Sequence, residues 1–172
     1  MHYKEYPFIS VYFYPMKIEC WAVGKQHELY VSQGVQDFTQ RIGNYYPVEW
    51  RLFSLKKSSA SYPPQKLKQE EKELIQSALK PEDWLVCLDE NGKSLTSRKL
   101  AAFIQDRGNE AVKRLVFLIG GAYGLDESIL KKSKFTWSLS GLTFPHQLVR
   151  LILVEQIYRA CTIGRNEKYH HD

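Results

Sequence analysis

The sequence predicts an α/β fold in which a mainly parallel β-sheet is flanked by helices on both faces. Two observations support this prediction. From residue 17 onward, short apolar segments alternate with longer segments of helical periodicity, and this alternation is typical of parallel sheets with helical crossovers. Some short segments, such as residues 115–119, are continuously apolar, as expected for strands that are buried on both faces.

The first half of the chain contains two predicted strand–helix units. The elements are, in order, a strand over 17–23, a helix over 29–42, a strand over 48–55, a basic and serine-rich loop over 56–62, and a helix from 63 to about 79. Gly24 and Gly43 end the first strand and the first helix. Pro63 and Pro64 are suited to the start of the second helix.

The second half contains three further predicted strand–helix units. The elements are a strand over 84–88 that ends at Asp89, a turn over 90–94, a helix over 97–107, a strand over 115–119, a helix from about 126, a strand over 135–139, a loop over 140–145, and a helix to about 163. The Asn91-Gly92 pair predicts the turn. Thr96 or Ser97 can cap the helix that follows, and Gly108 ends it.

The composition is that of a soluble globular protein of mildly basic character. Hydrophobic residues make up 44%, charged residues 25%, and the formal net charge is +5. A positive charge suits a polyanion such as RNA, although many unrelated proteins share it. No apolar run approaches the roughly 18 residues that a membrane span needs. Cys20, Cys87 and Cys161 lie far apart in apolar segments, which favours buried thiols in a reducing, cytoplasmic compartment over a zinc site.

Residues 1–15 differ from the rest of the chain. They are rich in aromatic residues, end at Pro15, and lack the long apolar core and small-residue cleavage site of a signal peptide. A cleaner strand pattern begins at Met16. We therefore interpret residues 1–15 as an N-terminal extension of unknown role and residues 16–172 as a single domain.

Three loops are candidate ligand sites, because ligands of parallel sheets bind beyond the carboxyl ends of the strands. They follow Leu88, contain Gly120 and Gly121, or span residues 140–145. The paired glycines let a ligand approach the backbone closely, but a tight strand-to-helix turn explains them equally well. The dinucleotide fingerprint and the P-loop are both excluded, since neither GxGxxG nor Gly-Lys-Ser/Thr is present there.

The third loop combines small residues with an unusually apolar helix. Ser140, Gly141 and Thr143 suit a loop whose backbone amides and carbonyls grip a nucleoside, and Pro145 fixes the entry into the helix. The helix is apolar on nearly every side, which predicts that it is buried all round. In a domain this small, we expect a second subunit to provide part of that burial.

Polar residues of this helix have two interpretations each. Arg150 is a candidate ligand for a phosphate or carboxylate. Glu155 and Arg159 are spaced to pair along one helix face. A solvated ridge or an interface ion pair explains these residues equally well, and His146, at the helix start, suits a structural role as well as a ligand contact.

The C-terminal tail contains Tyr169, His170 and His171. These side chains can bind phosphate, stack on a base or move a proton, but taken alone a frayed terminus explains the tail better. No pair of histidines in the sequence has the helical spacing of metal ligands, so no metal is expected.

Five segments together resemble one family, the ribosomal RNA large-subunit methyltransferase H family of the SPOUT (α/β-knot) superfamily. The segments are, in order, MKIECWAVGK, LVCLDENGK, LIGGAYGL, WSLSGLTFPHQLVRLILVEQIYRA and YHHD. They occur in the family's order and at about its spacing, and the resemblance covers Met16 to Asp172. The combination of the third and fourth segments is highly specific.

The resemblance implies a fold and an activity that composition and spacing do not show. It implies a SPOUT fold whose C-terminal part forms a trefoil knot, a homodimer, and S-adenosylmethionine bound in the knot. It also implies methylation of N3 of a pseudouridine in 23S ribosomal RNA, on assembled ribosomes. The family's cofactor positions correspond here to Leu88, Gly120, Ser140, Gly141, Leu142, Thr143, Phe144 and Pro145.

Catalytic and RNA-binding roles follow as hypotheses. N3 must lose its proton, and His170 is the candidate base, with Tyr169 or His171 as helpers. The candidate RNA contacts are Arg150, Lys56, Lys57 and His146. The family commonly ends Tyr-His-Arg-Glu, so His171 replaces a cationic arginine with a side chain that is largely neutral at pH 7, which puts any phosphate contact of that arginine in doubt.

Three other functions stay open from the sequence. A SPOUT enzyme that modifies another RNA base would differ only in the nucleotide modified. A ribosome- or RNA-binding protein that has lost catalysis would bind the cofactor without turnover, although the intact glycine and Ser-Gly-Leu-Thr loops argue against it. A nucleotide-binding regulator would need phosphate-gripping motifs that the sequence lacks.

Overall fold

The computed structural model describes residues 16–56 and 61–169. Predictions that concern residues 1–15, Lys57, His170 and His171 lie outside these ranges. The described strands are β1 (Lys17–Val23), β2 (Val48–Phe53), β3 (Trp84–Ser94), β4 (Arg114–Ile119) and β5 (Phe135–Ser138). The described helices are α1 (Leu29–Ile42), α2 (Pro64–Ala78), α3 (Ser97–Asn109), α4 (Glu127–Lys132) and α5 (His146–Gly164).

The strands form one sheet in the order β2-β1-β4-β3-β5. Every neighbouring pair is parallel, which confirms the predicted fold class. After β1 the chain moves outward to β2, whereas after β4 it moves to β5 at the opposite edge. The carboxyl ends of β1 and β4 therefore flank the topological switch point of the sheet, where open α/β sheets leave a crevice. The trefoil knot stays a prediction.

Each face of the sheet is covered by its own helices and its own core. Helix α5 packs against α1 and α3 on one face, over a cluster centred on side chains such as Ile18, Phe117 and Leu153. On the other face, Ile75 of α2 and Ile129 of α4 pack on a second cluster around Trp21. Strands covered on both sides explain the continuous apolar runs of the sequence.

The predicted end of the strand at Asp89 is wrong, because β3 continues to Ser94 and contains the predicted turn over residues 90–94. Leu88 and Lys93 both pair with Trp137 of β5, so the chain bulges outward between them and then rejoins the same strand. Asp89 accepts a hydrogen bond from the Asn91 backbone N–H at 2.9 Å, which is the local turn that the sequence signals. The renewed pairing depends on β5, more than forty residues away.

The starts of α3 and α4 agree with their capping signals, whereas the predicted end of α3 at Gly108 is wrong, because the helix continues to Asn109. The Thr96 side chain accepts a hydrogen bond from the Lys99 backbone N–H at 3.2 Å and caps α3. Asp126 caps α4 by accepting from Ser128 at 2.9 Å. The predicted strands β2 and β5 each end one or two residues early, at Phe53 and Ser138.

The three cysteines are buried and free, as predicted. Burial raises the pKa of the Cys87 thiol and that of the Cys161 thiol to about 12 each, and it also raises the pKa of Cys20. These thiols are therefore core side chains that stay protonated at neutral pH.

A buried network of charged groups lies at the amino end of the sheet. Glu19 is 6% exposed and accepts a hydrogen bond from the Trp21 indole N–H at 2.7 Å. Its carboxylate also lies 3.2 Å from the Lys17 ammonium and 3.4 Å from the Arg114 guanidinium, which in turn pairs with Asp83. Burial raises the pKa of Glu19, but the hydrogen bonds and the cations outweigh it and hold the pKa below its ordinary value.

Helix α5 has two different faces in the single chain. One face is buried, with Leu153, Val154 and Ile157 fully enclosed. The other face is only half-buried and includes Leu148 and Ile152. The helix is therefore not buried all round by its own chain, and the contribution of a second subunit stays a prediction. Glu155 and Arg159 form the predicted i,i+4 ion pair at 2.6 Å.

Candidate active site

The carboxyl ends of β3, β4 and β5 bring the predicted cofactor positions together. Leu88 pairs with Ile119 of β4 and with Trp137 of β5, so the three strands reach the same level of the sheet. Gly120 directly follows Ile119, and the loop over residues 140–145 begins two residues after Ser138. Positions that are far apart in sequence thus line one edge.

The loop over residues 140–145 is held in place by short polar contacts. The Ser138 hydroxyl donates to the Ser140 carbonyl at 3.0 Å, and the Leu142 backbone N–H donates to the Ser140 hydroxyl at 3.0 Å. Leu142 is 72% exposed, and an added Cβ at Gly141 would meet nothing within 4 Å. Space and apolar surface are therefore available beside a backbone whose shape is already fixed.

Gly120 is needed for a close approach between the loop after β4 and Leu125. A Cβ at this position would lie 2.9 Å from the Leu125 side chain and 3.1 Å from its backbone nitrogen. Both values are shorter than an ordinary van der Waals contact, which begins at 3.4 Å. The glycine therefore serves the tight turn, and it leaves the Gly120 backbone at the strand end where a ligand would bind.

A cleft of about 830 Å³ opens at the switch point, beside these loops. Its walls come from the ends of β1, β2 and β4, from α2, and from the start of α5. Gly121 directly follows the predicted cofactor position Gly120, and Pro145 belongs both to the cleft and to the predicted cofactor loop. The cleft and the predicted cofactor positions are therefore continuous.

Glu71 of α2 is a buried carboxylate in this cleft. It is 7% exposed, and it accepts a hydrogen bond from the Gly121 backbone N–H. The contact is so close that a Cβ on Gly121 would lie 2.2 Å from a carboxylate oxygen of Glu71. Burial raises the pKa of Glu71, and the Gly121 hydrogen bond and the Lys68 charge only partly oppose it.

Sequence reasoning missed Glu71 because it lies in the charged segment KLKQEEKE, which resembles a solvated helix face. The available signal was its spacing. Leu67, Glu71, Ile75 and Ala78 recur at helical intervals, so the carboxylate shares the apolar face of α2. A carboxylate on an apolar face must be buried or lie at its rim.

Arg150 of α5 is a buried cation that lines the same cleft. It is 2% exposed, and its guanidinium donates to the Lys25 carbonyl at 2.8 Å and to the Val23 carbonyl at 3.2 Å. Its Nε–H is buried and has no partner among the described residues. Burial lowers the pKa of Arg150, and the charge of Glu28 only partly opposes this.

The other predicted RNA contacts lie at the rim of the cleft. Lys56 and His146 are exposed and line it, whereas Lys57 lies outside the described residues. His146 is the first residue of α5. The predicted RNA contacts Lys56, His146 and Arg150 thus share one cleft, although Arg150 is enclosed rather than presented to the surface.

Tyr169 is anchored on α5 by three of its side chains. Its hydroxyl donates to Glu155 at 3.2 Å, its ring lies 4.8 Å from the Tyr158 ring, and the Arg159 guanidinium stacks 4.8 Å above it. His170 and His171 follow outside the described residues. The tail is therefore fixed up to the residue before the candidate base.

The donor groups of this edge suit a nucleoside better than a metal ion. Among residues 16–56 and 61–169, no group of three or more His, Cys, Asp or Glu could hold a metal. The edge instead offers backbone N–H and C=O groups, small residues and the apolar side chains of Leu88 and Leu142, as small-molecule sites do. No described helix is long and apolar enough to cross a membrane.

A parallel α/β sheet with a glycine turn and a small-residue loop at its carboxyl edge has the usual ligand-binding position of an α/β enzyme. Residues 16–170 match the family described as "Predicted SPOUT methyltransferase". The chain belongs to this family of methyltransferases, which confirms the resemblance found in the sequence.

Three relatives of the chain from different organisms share one name. The chain is 40% identical over 156 residues to the "Ribosomal RNA large subunit methyltransferase H" of Cytophaga hutchinsonii, covering 91% of this chain and 100% of the relative. Proteins of the same name from Parabacteroides distasonis and Geobacter metallireducens are 40% and 41% identical over 157 and 156 residues. They cover 91% of this chain, and 100% and 99% of those relatives.

Proposed function

We propose that the protein transfers a methyl group from S-adenosylmethionine to N3 of a pseudouridine in 23S ribosomal RNA, in the cytoplasm and on assembled ribosomes. The observation that supports this most strongly is the convergence of Leu88, Gly120 and residues 140–145 at one sheet edge. The name shared by the relatives supports ribosomal RNA as the substrate. The basic net charge of +5 agrees with a polyanionic partner.

Bound S-adenosylmethionine supplies a methyl group on a sulfonium, which one in-line displacement transfers without a covalent enzyme intermediate. The protein's contribution is then mainly positioning. The backbone of residues 140–145 and the side chain of Leu88 hold the adenosine, while the hydrogen bonds of Ser140 keep that loop in shape. A loop that already has its binding conformation loses less conformational entropy when the ligand binds.

The acceptor nitrogen has to lose a proton, and we propose that His170 takes it. Tyr169 and His171 act as helpers in this proposal. Tyr169 supports it, because its contacts with Glu155 and Arg159 restrict where the next residue can lie. A base held near its substrate raises the rate of proton transfer.

The position of Tyr169 argues that the active site needs two subunits. Tyr169 packs against Tyr158, twelve residues into α5, and therefore about 18 Å along the helix from the cofactor loop. The three residues that follow extend the chain by at most about 11 Å. We propose a homodimer in which the tail of one subunit reaches the cofactor of its partner. The half-buried apolar face of α5 around Leu148 and Ile152 suits such an interface.

We propose that Lys56, Lys57 and His146 contact RNA phosphates at the rim of the cleft. The exposure of Lys56 and His146 supports this. Arg150 was proposed for the same role, but its burial and its bonds to two backbone carbonyls make an anionic group inside the cleft the better ligand.

Methyl transfer from labelled S-adenosylmethionine tests the proposal. The acceptors are whole ribosomes, separated subunits and free 23S RNA, all lacking the modification. The proposal predicts label in whole ribosomes, mapped to N3 of one pseudouridine. Label at another base would favour a different SPOUT specificity, and cofactor binding without any transfer would favour a protein that only binds RNA.

A further inference from the structure

Two buried charged residues of opposite sign line the cleft, and neither forms a close ion pair with another described residue. Among the described residues, Glu71 and Arg150 form no ion pair within 4.0 Å. Glu71 accepts from a backbone N–H, and Arg150 donates to backbone carbonyls. Burying unmatched charges is costly, so a ligand that supplies both opposite charges would bind there favourably.

An α-amino acid group has this pair of charges. Its ammonium complements a buried carboxylate, and its carboxylate complements a guanidinium such as that of Arg150, which lines the cleft. The first turn of α5 also lines the cleft through His146 and Gln147, and the amino end of a helix favours a negative group.

S-adenosylmethionine ends in such a group, and the cleft adjoins the positions proposed for its adenosine. Gly121 holds Glu71 and directly follows the cofactor position Gly120, while Pro145 lines the cleft and ends the cofactor loop. A ligand that leaves the adenosine loops toward the switch point therefore enters the cleft that both charged residues line.

We propose that the cleft binds the amino-acid end of the cofactor, with Glu71 accepting hydrogen bonds from its ammonium and Arg150 donating to its carboxylate. This inference rests on the proposed function, since it takes S-adenosylmethionine as the cofactor. Glu71 also fixes Gly121 and thereby links recognition of the amino-acid end to the shape of the glycine turn.

The test is calorimetric binding of three thioethers that share adenosine and have an uncharged sulfur. S-adenosylhomocysteine has the complete amino-acid end, an aminopropyl analogue lacks the carboxylate, and 5′-methylthioadenosine lacks both charges. The wild-type protein should bind S-adenosylhomocysteine at least roughly tenfold more tightly than either truncated ligand, because charge-assisted hydrogen bonds are lost. Equal affinity for all three would overturn the proposal without any variant.

Single substitutions then test which residue binds which charged group of the ligand. Glu71→Gln keeps an acceptor for Gly121 and should weaken S-adenosylhomocysteine and the aminopropyl analogue by roughly tenfold, with 5′-methylthioadenosine changed by less than about twofold. Arg150→Gln should weaken only S-adenosylhomocysteine. Glu73→Gln, on the exposed side of the same helix, is the matched control and should change none of them.

The outcomes separate this inference from the proposed function. Equal loss of all three ligands in Glu71→Gln would mean that Glu71 acts only through the glycine turn, which overturns the inference and leaves methyl transfer intact. Failure of the wild-type protein to bind S-adenosylmethionine or any thioether would remove the proposed function as well.

Discussion

Gly92 provides a sensitive test of how β3 and β5 fit together. A Cβ at Gly92 would lie 2.7 Å from the Trp137 carbonyl carbon and 2.8 Å from the Ser138 nitrogen and from the Thr136 carbonyl carbon. Ordinary contact begins at 3.4 Å, so the backbone of β5 would have to move by at least 0.7 Å (3.4 minus 2.7). Backbone atoms within a paired strand yield less easily than the end of a side chain.

Gly92→Ala is therefore expected to destabilise the protein by about 1–3 kcal/mol, as overpacking of a close-packed interior does. In a chain of this size, that lowers the thermal midpoint by about 2–12 °C. Because β5 leads directly into residues 140–145, affinity for S-adenosylmethionine should also fall, by roughly fivefold or more if the loop loses one net hydrogen bond.

Thermal unfolding followed by circular dichroism and calorimetric binding measure both effects. Gly108→Ala is the control, because its Cβ would meet nothing within 4 Å inside α3 and alanine is the better helix former. Its midpoint should be unchanged or slightly raised. A Gly92→Ala protein that melts and binds like Gly108→Ala would refute the close approach of β3 to β5.

Three further predictions follow from other parts of the chain. The pKa of Glu19 in the folded protein lies below its ordinary value of 4.5, so the stabilisation that the ionised Glu19 gives the fold is complete above pH 4.5 and is lost as the pH falls through the folded pKa. The thermal midpoint of the wild-type protein should therefore drop more steeply below pH 5 than the midpoint of Glu19→Gln. Parallel curves of midpoint against pH would contradict this. Tyr169→Phe removes the hydroxyl bonded to Glu155 and should slow methyl transfer by roughly fivefold without changing cofactor affinity; an unchanged rate would show that this bond does not position the tail. Lys56→Ala should weaken ribosome binding and reduce the slope of log affinity against log salt by about one, whereas Lys131→Ala on α4 should not; identical slopes would exclude a phosphate contact.

Local signals were sufficient to predict most of the fold. Gly24, Gly43 and the Thr96 cap act within a few residues of themselves, and the elements they bound agree with the sequence prediction. The second part of β3 was missed because Asn91-Gly92 does form a local turn, and only β5 makes the following residues a strand.

In the candidate site, too, features set by neighbouring residues could be predicted from the sequence, whereas features set by distant residues could not. Motif segments identified the strand-end loops, since their residues are contiguous in sequence. The cleft was not predictable in this way, because its charges come from α2 and α5 and meet only after the sheet orders its strands. The burial of Glu71 in particular depends on the face of α2 that packs, which its charged neighbours obscure.

Complementation between two inactive variants tests the central claim, that the cofactor loops of one subunit work with the tail of its partner. Gly141→Leu would fill the proposed cofactor space from a position whose Cβ meets nothing within 4 Å, and His170→Ala removes the proposed base. Each variant alone should be inactive. Mixed after unfolding and refolding together, they should recover about one quarter of wild-type methyl transfer, since half of randomly paired dimers are mixed and each has one intact site. No recovery, with mixed dimers demonstrably formed, would contradict the shared site.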